Sequence, residues 1–219
     1  MTEFIVYSVP GSPYGRAVLA TLSEKNAAYR LSPLRTGDAR SEPHLSRHPF
    51  GRVPVLEHDG FMLYESQAIL RYLDRVLPDP VLTPGEPKRA ARMDQVMNVC
   101  DWYLFQGVNN VIGFHRIVGP KLLGRAPDEA AIGAAMPKAR IVFNELSRLL
   151  GDNGYFTGET VSLADILAAV QLDFLAATPE WKELTEPTPN VVAWLARMTA
   201  RPSFTSTTWE RVAEQARAA

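Results

Sequence analysis

Val53-Pro54-Val55-Leu56-Glu57-His58-Asp59-Gly60-Phe61-Met62-Leu63-Tyr64-Glu65-Ser66 decides how the first part of the chain folds. Two short runs rich in β-branched and aromatic residues flank an Asp-Gly pair, and Asp59-Gly60 supplies the positive φ angles that a tight hairpin requires. From Ser66 onward the apolar period lengthens to that of a helix, with Ala68-Ile69, Tyr72-Leu73 and Val76 on one face. Toward the N-terminus, Tyr29-Arg30-Leu31-Ser32-Pro33-Leu34 reads as an edge strand, because its proline cannot donate to a ladder, and Phe4-Ile5-Val6-Tyr7 as another strand. Between them Pro13 suits the first position of a helix carrying Val18, Leu19 and Leu22, with Asn26 as its stop. Residues 1–77 therefore read β-α-β, loop, β-β-α, an α/β domain.

The segment Leu77-Pro78-Asp79-Pro80-Val81-Leu82-Thr83-Pro84-Gly85-Glu86-Pro87 has four prolines in eleven positions, which sustains neither a helix nor a central strand, so 78–87 is predicted as a linker. Residues 88–219 are helical in pattern throughout and form an all-α domain. Met93, Val96, Cys100, Tyr103-Leu104, Gly107-Val108 and Val111 predict one long helix with a continuous apolar stripe. Ala139, Val142-Phe143, Leu146 and Leu149-Leu150 predict another, ended by Gly151; an extension back through Ile132 and Ala135 would kink it at Pro137. Ser162-Leu163-Ala164-Asp165 is a capping box that opens a third, and Val191-Val192, Leu195 and Met198 mark a fourth before Arg201-Pro202.

Composition narrows the function classes. The 219 residues carry 23 basic and 24 acidic side chains, a formal net charge of -1, and the basic ones are scattered, so the electrostatic footprint of a nucleic-acid binder is missing. No apolar run approaches the roughly 18 residues that cross a bilayer, and Met1-Thr2-Glu3 opens without a basic stretch leading into an apolar one; a cytoplasmic protein with no membrane partner is expected. Cys100 is the single cysteine, which excludes an internal disulfide, and His44, His48, His58 and His115 lack metal-ligand spacing, so no metal is expected.

Chemistry is suggested first by Gly11-Ser12-Pro13-Tyr14-Gly15-Arg16, where strand one turns into helix one. Ser12 at the cap places a hydroxyl among unpaired backbone amides at the positive end of a helix dipole, a position that favours an anion; a plain helix cap is the structural alternative. The stretch resembles the glutaredoxin turn Cys-Pro-Tyr-Cys with Ser12 and Gly15 replacing the cysteines, which rules out thiol-disulfide exchange through a protein cysteine there.

Across essentially its whole length the chain resembles the soluble glutathione S-transferases, and within them the phi-like, serine-type branch. Three stretches carry the resemblance: Gly11-Ser12 with Arg16-Ala17-Val18-Leu19; His48-Pro49-Phe50-Gly51-Arg52-Val53-Pro54, which is similar to the family's Asn-Pro-Phe-Gly-Gln-Val-Pro; and Leu63-Tyr64-Glu65-Ser66 followed by Ala68-Ile69. The resemblance implies a thioredoxin-like domain followed by a helical domain, glutathione as co-substrate, a detoxification enzyme and a homodimer, with Phe50 as an aromatic that inserts into the partner unless it packs in its own subunit. It also implies roles. Ser12 would donate a hydrogen bond to the glutathione sulfur and lower a thiol pKa of about 8.5, and Arg16 would support the thiolate or form a surface ion pair. Val53-Pro54 would be a cis-proline turn presenting Val53's backbone to the cysteinyl part. Ser66, as a helix cap, would take the γ-glutamyl carboxylate and Glu65 the neighbouring ammonium group. Arg40 and Arg52 would hold the glycine carboxylate, although Ala39 and Arg52 stand where the branch often has histidine and glutamine.

For a small hydrophobic electrophile the resemblance nominates Val9, Tyr103, Phe105, Phe114, His115 and Trp209, although aromatics at such spacing are usually core or interface residues. Tyr7 is a distant competitor to Ser12 for thiol activation. Conjugation, peroxide reduction, isomerisation and dehalogenation all start from the same thiolate. The alternative is a glutathione-binding or protein-interaction module that keeps the fold without turnover.

Overall fold

The computed structural model describes residues 3–35 and 37–218; Met1 and Thr2, on which the reading of the chain's opening partly rests, lie outside them. Packing groups the described residues into two compact units, one reaching to Leu82 and including 200–218, the other Thr83–Thr199.

The first unit holds β1 (Phe4–Ser8), α1 (Pro13–Glu24), β2 (Tyr29–Pro33), a 3-10 turn (Asp38–Arg40), α2 (His44–Arg47), β3 (Val55–His58), β4 (Phe61–Tyr64) and α3 (Ser66–Val76). The sheet order is β2-β1-β3-β4. β1 and β2 run parallel, as the α1 crossover requires, and β3 and β4 continue antiparallel. This is the thioredoxin-like arrangement expected from the sequence, with β2 and its proline at an edge. The hairpin turns on Asp59 and Gly60, both at positive φ (49° and 84°), so the Asp-Gly signal gives the turn it predicts. Val6, Val18, Leu22, Leu56, Ile69 and Leu73 are closed off from solvent between sheet and helices.

The second unit is helical: α4 (Pro87–Val99), a π-type stretch (Cys100–Val118), α5 (Gly119–Leu123), α6 (Glu129–Leu150), α7 (Leu163–Ala176), α8 (Trp181–Thr185) and α9 (Pro189–Thr199). The single long helix expected through Val111 is broken. Gln106 (ψ 108°) and Gly107 (φ 86°) leave helical geometry, and the freed groups find side-chain partners: Lys138 Nζ donates to the Gln106 carbonyl, and the Gly107 N–H donates to Asn110 Oδ1 at 2.6 Å. α6 begins at Glu129, with Asp128 accepting from the Ala131 N–H, and runs through Pro137. α7 is apolar and buried on nearly all sides, which makes it the axis of this unit.

The tail forms α10 (Pro202–Thr205) and α11 (Trp209–Ala218). Although 88–219 reads from sequence as one helical segment, 200–218 packs with the first unit, for identifiable reasons. Arg201 makes a bidentate pair with Glu24 at the end of α1 (2.7 Å each), and Ser203 Oγ donates to the same carboxylate. Burial pushes the Glu24 pKa up, but the Arg201 and Ser203 hydrogen bonds win and hold it below the usual value. The start of the linker is tied in too: buried Lys25 donates to Asp74 of α3 and to the Pro80 carbonyl, and the Leu82 N–H donates to Asp74.

Candidate active site

Strand register brings three loops together. Tyr7 pairs with Val55 and Val55 with Tyr64, so the segments leaving β1, entering β3 and leaving β4 share one end of the sheet. Those segments carry Ser12, Val53-Pro54 and Glu65-Ser66.

Ser12 caps α1, accepting from the Gly15 N–H at 3.2 Å, while Pro13 holds the first turn. Its hydroxyl proton remains available to donate to a group at the helix start. The preceding Gly11 has φ +87°, and a Cβ there would lie 2.7–2.9 Å from the ring of Trp209, so glycine lets the C-terminal helix close against this turn. Gly15 is matched to buried Ser8 in the same way, since a Cβ would come within 2.0 Å of Ser8 Oγ. Arg16 directs its guanidinium toward the tail: Nη2 donates to the Phe204 carbonyl at 3.2 Å, and Cζ lies 5.3 Å from the Phe204 ring centre. Tyr7 is committed elsewhere. Its hydroxyl donates to Glu57 at 2.7 Å, Arg47 stacks 4.3 Å over its ring, and its pKa is raised first by burial and then by the Glu57 bond.

Val53-Pro54 is cis. Pro54 is buried and Val53 half-buried. Ser66 is not the helix cap that the sequence suggests. With Tyr64 still in β4 and Ser66 already in α3, Glu65 alone makes the reversal and takes φ +71°, so Glu65 is the cap residue and Ser66 the first helical one. A non-glycine residue held at positive φ costs on the order of 1–3 kcal/mol and is characteristic of functional turns. Ser66 thereby offers a hydroxyl and an unpaired first-turn amide at the start of α3. Arg40 and Arg52 are exposed. They are brought near one another by Gly51, whose Cβ would touch the Ala39 carbonyl and Arg40 Cγ at 3.0 and 3.3 Å.

Two residues of this region have no role in the sequence reading. His44 and His48 are only 1% and 2% exposed. His44 Nε2 lies 2.7 Å from the Arg52 carbonyl, and the His48 ring packs 4.6 Å from that of Tyr64. Burial foremost lowers the His48 pKa, with His44 and Arg52 adding to it and Glu65 opposing. Their four-residue spacing beside Pro49-Phe50-Gly51 is the only signal in the sequence, and it does not distinguish a buried brace from a polar loop.

Of the electrophile candidates, Val9 and Trp209 belong to the first unit and flank the Ser12 turn: the Ser12 N–H donates to the Val9 carbonyl, and Trp209 covers Gly11. The others belong to the π-type stretch. Tyr103 is 56% exposed, Phe105 half-buried, and Phe114 meets His115 edge-on at 5.2 Å, while His115 Nδ1 accepts from the Asp128 N–H.

Comparison with known proteins agrees with this architecture. Residues 6–80 match the family model of the glutathione S-transferase N-terminal domain, and 111–202 that of the C-terminal domain. A curated glutathione S-transferase from Hyoscyamus muticus is 33% identical over 197 residues, 88% of this chain and 92% of the relative. The crystal structure of glutathione transferase F7 from Populus trichocarpa superposes with a TM-score of 0.84 at 28% identity, covering 97% of this chain and 99% of that one. A glutathione S-transferase I structure bound with lactoylglutathione gives 0.82 at 28% identity, covering 93% and 97%. The chain belongs to the glutathione S-transferase family. Among the described residues, no helix is long and apolar enough to cross a membrane.

Proposed function

We propose that this chain is a serine-type glutathione transferase of the cytoplasm, which binds glutathione at the shared end of the β1, β3 and β4 strands and activates its thiol for attack on a small hydrophobic electrophile. The observation that carries this reading is the Ser12 cap at the same sheet end as the cis Val53-Pro54 turn and the strained Glu65-Ser66 turn. In this reading the Ser12 hydroxyl and the α1 dipole favour the thiolate, Val53's backbone takes the cysteinyl unit, and Ser66 with Glu65 takes the γ-glutamyl carboxylate and ammonium. Arg40 and Arg52 take the glycine carboxylate. Arg16, in the first turns of α1, supports the thiolate electrostatically, and its Nη2 also donates to the Phe204 carbonyl. Val9 and Trp209, beside the Ser12 turn, are the electrophile candidates of the first unit, and Tyr103, Phe105, Phe114 and His115 are those of the helical unit.

Titrating glutathione into the protein while following thiolate ultraviolet absorbance against pH tests the reading. The expected result is a bound-thiol pKa well below the free value of about 8.5. Binding with no shift would favour the non-catalytic module, and no binding would leave the family without the activity.

The same reading makes the protein a homodimer. Phe50 is 71% exposed and meets the His48 and Tyr64 rings edge-on at 6.1 and 6.3 Å, which argues against core packing in its own subunit as its explanation. Burying one phenyl ring is worth about 1.5–3 kcal/mol, and a twofold dimer buries two. Phe50→Asp is expected to weaken dimerisation at least 100-fold in sedimentation equilibrium; a wild-type chain that sediments as a monomer at micromolar concentration rules the dimer out.

A further inference from the structure

We infer that His44 is a positioning residue for glutathione binding: through its hydrogen bond to the Arg52 carbonyl it sets the direction of the Val53 N–H. The inference rests on the glutathione-site reading above and concerns a residue to which that reading gives no task.

The geometry is a chain of rigid links. A carbonyl only accepts, so at 2.7 Å it is His44 Nε2–H that donates to it, while Nδ1 has no hydrogen-bond partner among the described residues. The Arg52 carbonyl and the Val53 N–H belong to one planar peptide unit, pointing in opposite directions, so fixing the oxygen fixes the N–H. The Val53-Pro54 peptide follows immediately and is cis. His44 is therefore one covalent plane away from the backbone group assigned to the cysteinyl unit of glutathione.

His44 can do this because α2 is itself anchored at several points. Arg47 stacks on Tyr7 of β1 at 4.3 Å. The His48 N–H donates to the His44 carbonyl, the Gly51 N–H donates to the His48 carbonyl, and the His48 ring lies 4.6 Å from Tyr64, the residue before Glu65. One helical turn thus braces both loops assigned to glutathione, 51–54 by a hydrogen bond and 64–66 by packing. The exclusion of His44 from solvent strengthens the case, because an imidazole is retained in a buried place at a desolvation cost unless its N–H has work to do.

The test compares His44→Gln with His44→Asn in the full chain. The glutamine amide reaches far enough to donate to the Arg52 carbonyl; the asparagine amide, one methylene shorter, does not. Both are polar amides, so folding differs little between them, and thermal melting checks that it does. Glutathione affinity is read by calorimetry and the bound-thiol pKa by ultraviolet titration. His44→Asn is expected to weaken glutathione about tenfold, which is what one neutral hydrogen bond is worth. His44→Gln is expected to stay within about threefold of wild type, and the bound-thiol pKa to be unmoved in both because Ser12 is untouched. Equal affinities for Asn and wild type overturn the proposal, as does a Gln variant as weak as Asn, which would make the ring's packing the effect. A displaced thiol pKa would show action at Ser12 and overturn it too. If wild type itself binds no glutathione, the site reading falls and this proposal with it; if wild type binds with a lowered thiol pKa and the Asn variant does the same with equal affinity, only this proposal falls.

Discussion

Replacing Ser12 with alanine is expected to raise the pKa of the bound glutathione thiol by about 1–2 units and to lower kcat/KM some 10- to 100-fold near pH 6.5, with glutathione affinity little changed. The magnitude follows from the bond removed. A hydrogen bond to a charged acceptor is worth about 1.5–3 kcal/mol, and one pKa unit is about 1.4 kcal/mol of preference for the ionised form. Ser12 is well suited to donate, because its oxygen already accepts from the Gly15 N–H, which polarises the O–H toward sulfur. The sign sets the pH dependence. A depressed thiol pKa in the wild type becomes less depressed in the variant, so the rate profile moves to alkaline pH, and the two proteins converge above the free thiol's value of about 8.5, where thiolate forms unaided. Loss of the cap costs about 1 kcal/mol of stability, small enough that the variant is assayed folded. A variant with the wild-type pH profile would remove Ser12 from thiol activation while leaving the family assignment in place.

Ser12 was legible because two independent local signals fall on it: a cap residue before Pro13, and a turn between a β-branched run and a helical period. The hairpin at Asp59-Gly60 was legible for the same reason, since the backbone angles there are dictated by the residues themselves. What the sequence misplaced depends on partners distant along the chain. Ser66 has the composition of a cap, but the cap is Glu65, because β4 ends one residue earlier and the reversal must be made in a single residue. The break at Gln106-Gly107 needs Lys138, some thirty positions on, to receive the freed carbonyl, and an apolar stripe continues through it unaltered. The tail reads as one more helix of the second domain, yet Arg201, Ser203 and Phe204 are held by Glu24 and Arg16 of the first helix. His44 and His48 are polar residues in core positions, and periodicity carries no information about which carbonyl or ring awaits them.

Removing the Asp165 carboxylate is expected to have the opposite profile from Ser12→Ala, with a large loss of stability and unchanged chemistry in the molecules that remain folded. Asp165 is fully buried, and each of its oxygens accepts twice. Oδ1 takes the Phe156 N–H and the Trp194 Nε1–H, both at 2.9 Å, and Oδ2 takes the Ser162 N–H at 2.9 Å and the Ser162 hydroxyl at 2.7 Å. The single carboxylate therefore opens α7, fixes the 156–162 loop and ties α9 to both. Asp165→Ala strands three buried N–H donors at about 1–3 kcal/mol each, so a destabilisation of about 3–5 kcal/mol is expected from urea unfolding followed by tryptophan fluorescence, out of a total of about 5–15 for an ordinary protein. Asp165→Asn should lose roughly half as much, because its remaining oxygen keeps the Phe156 and Trp194 bonds while its NH2 group faces the Ser162 N–H. Both variants within about 1 kcal/mol of wild type would mean that water replaces the carboxylate, which a site closed to solvent on every side does not allow. Because every group in this network belongs to the helical unit and none to the end of the sheet that carries Ser12, the bound-thiol pKa of the folded fraction should be that of the wild type. Variants at Asp165 and at Ser12 then separate a residue that holds this chain together from the one proposed to activate the thiol.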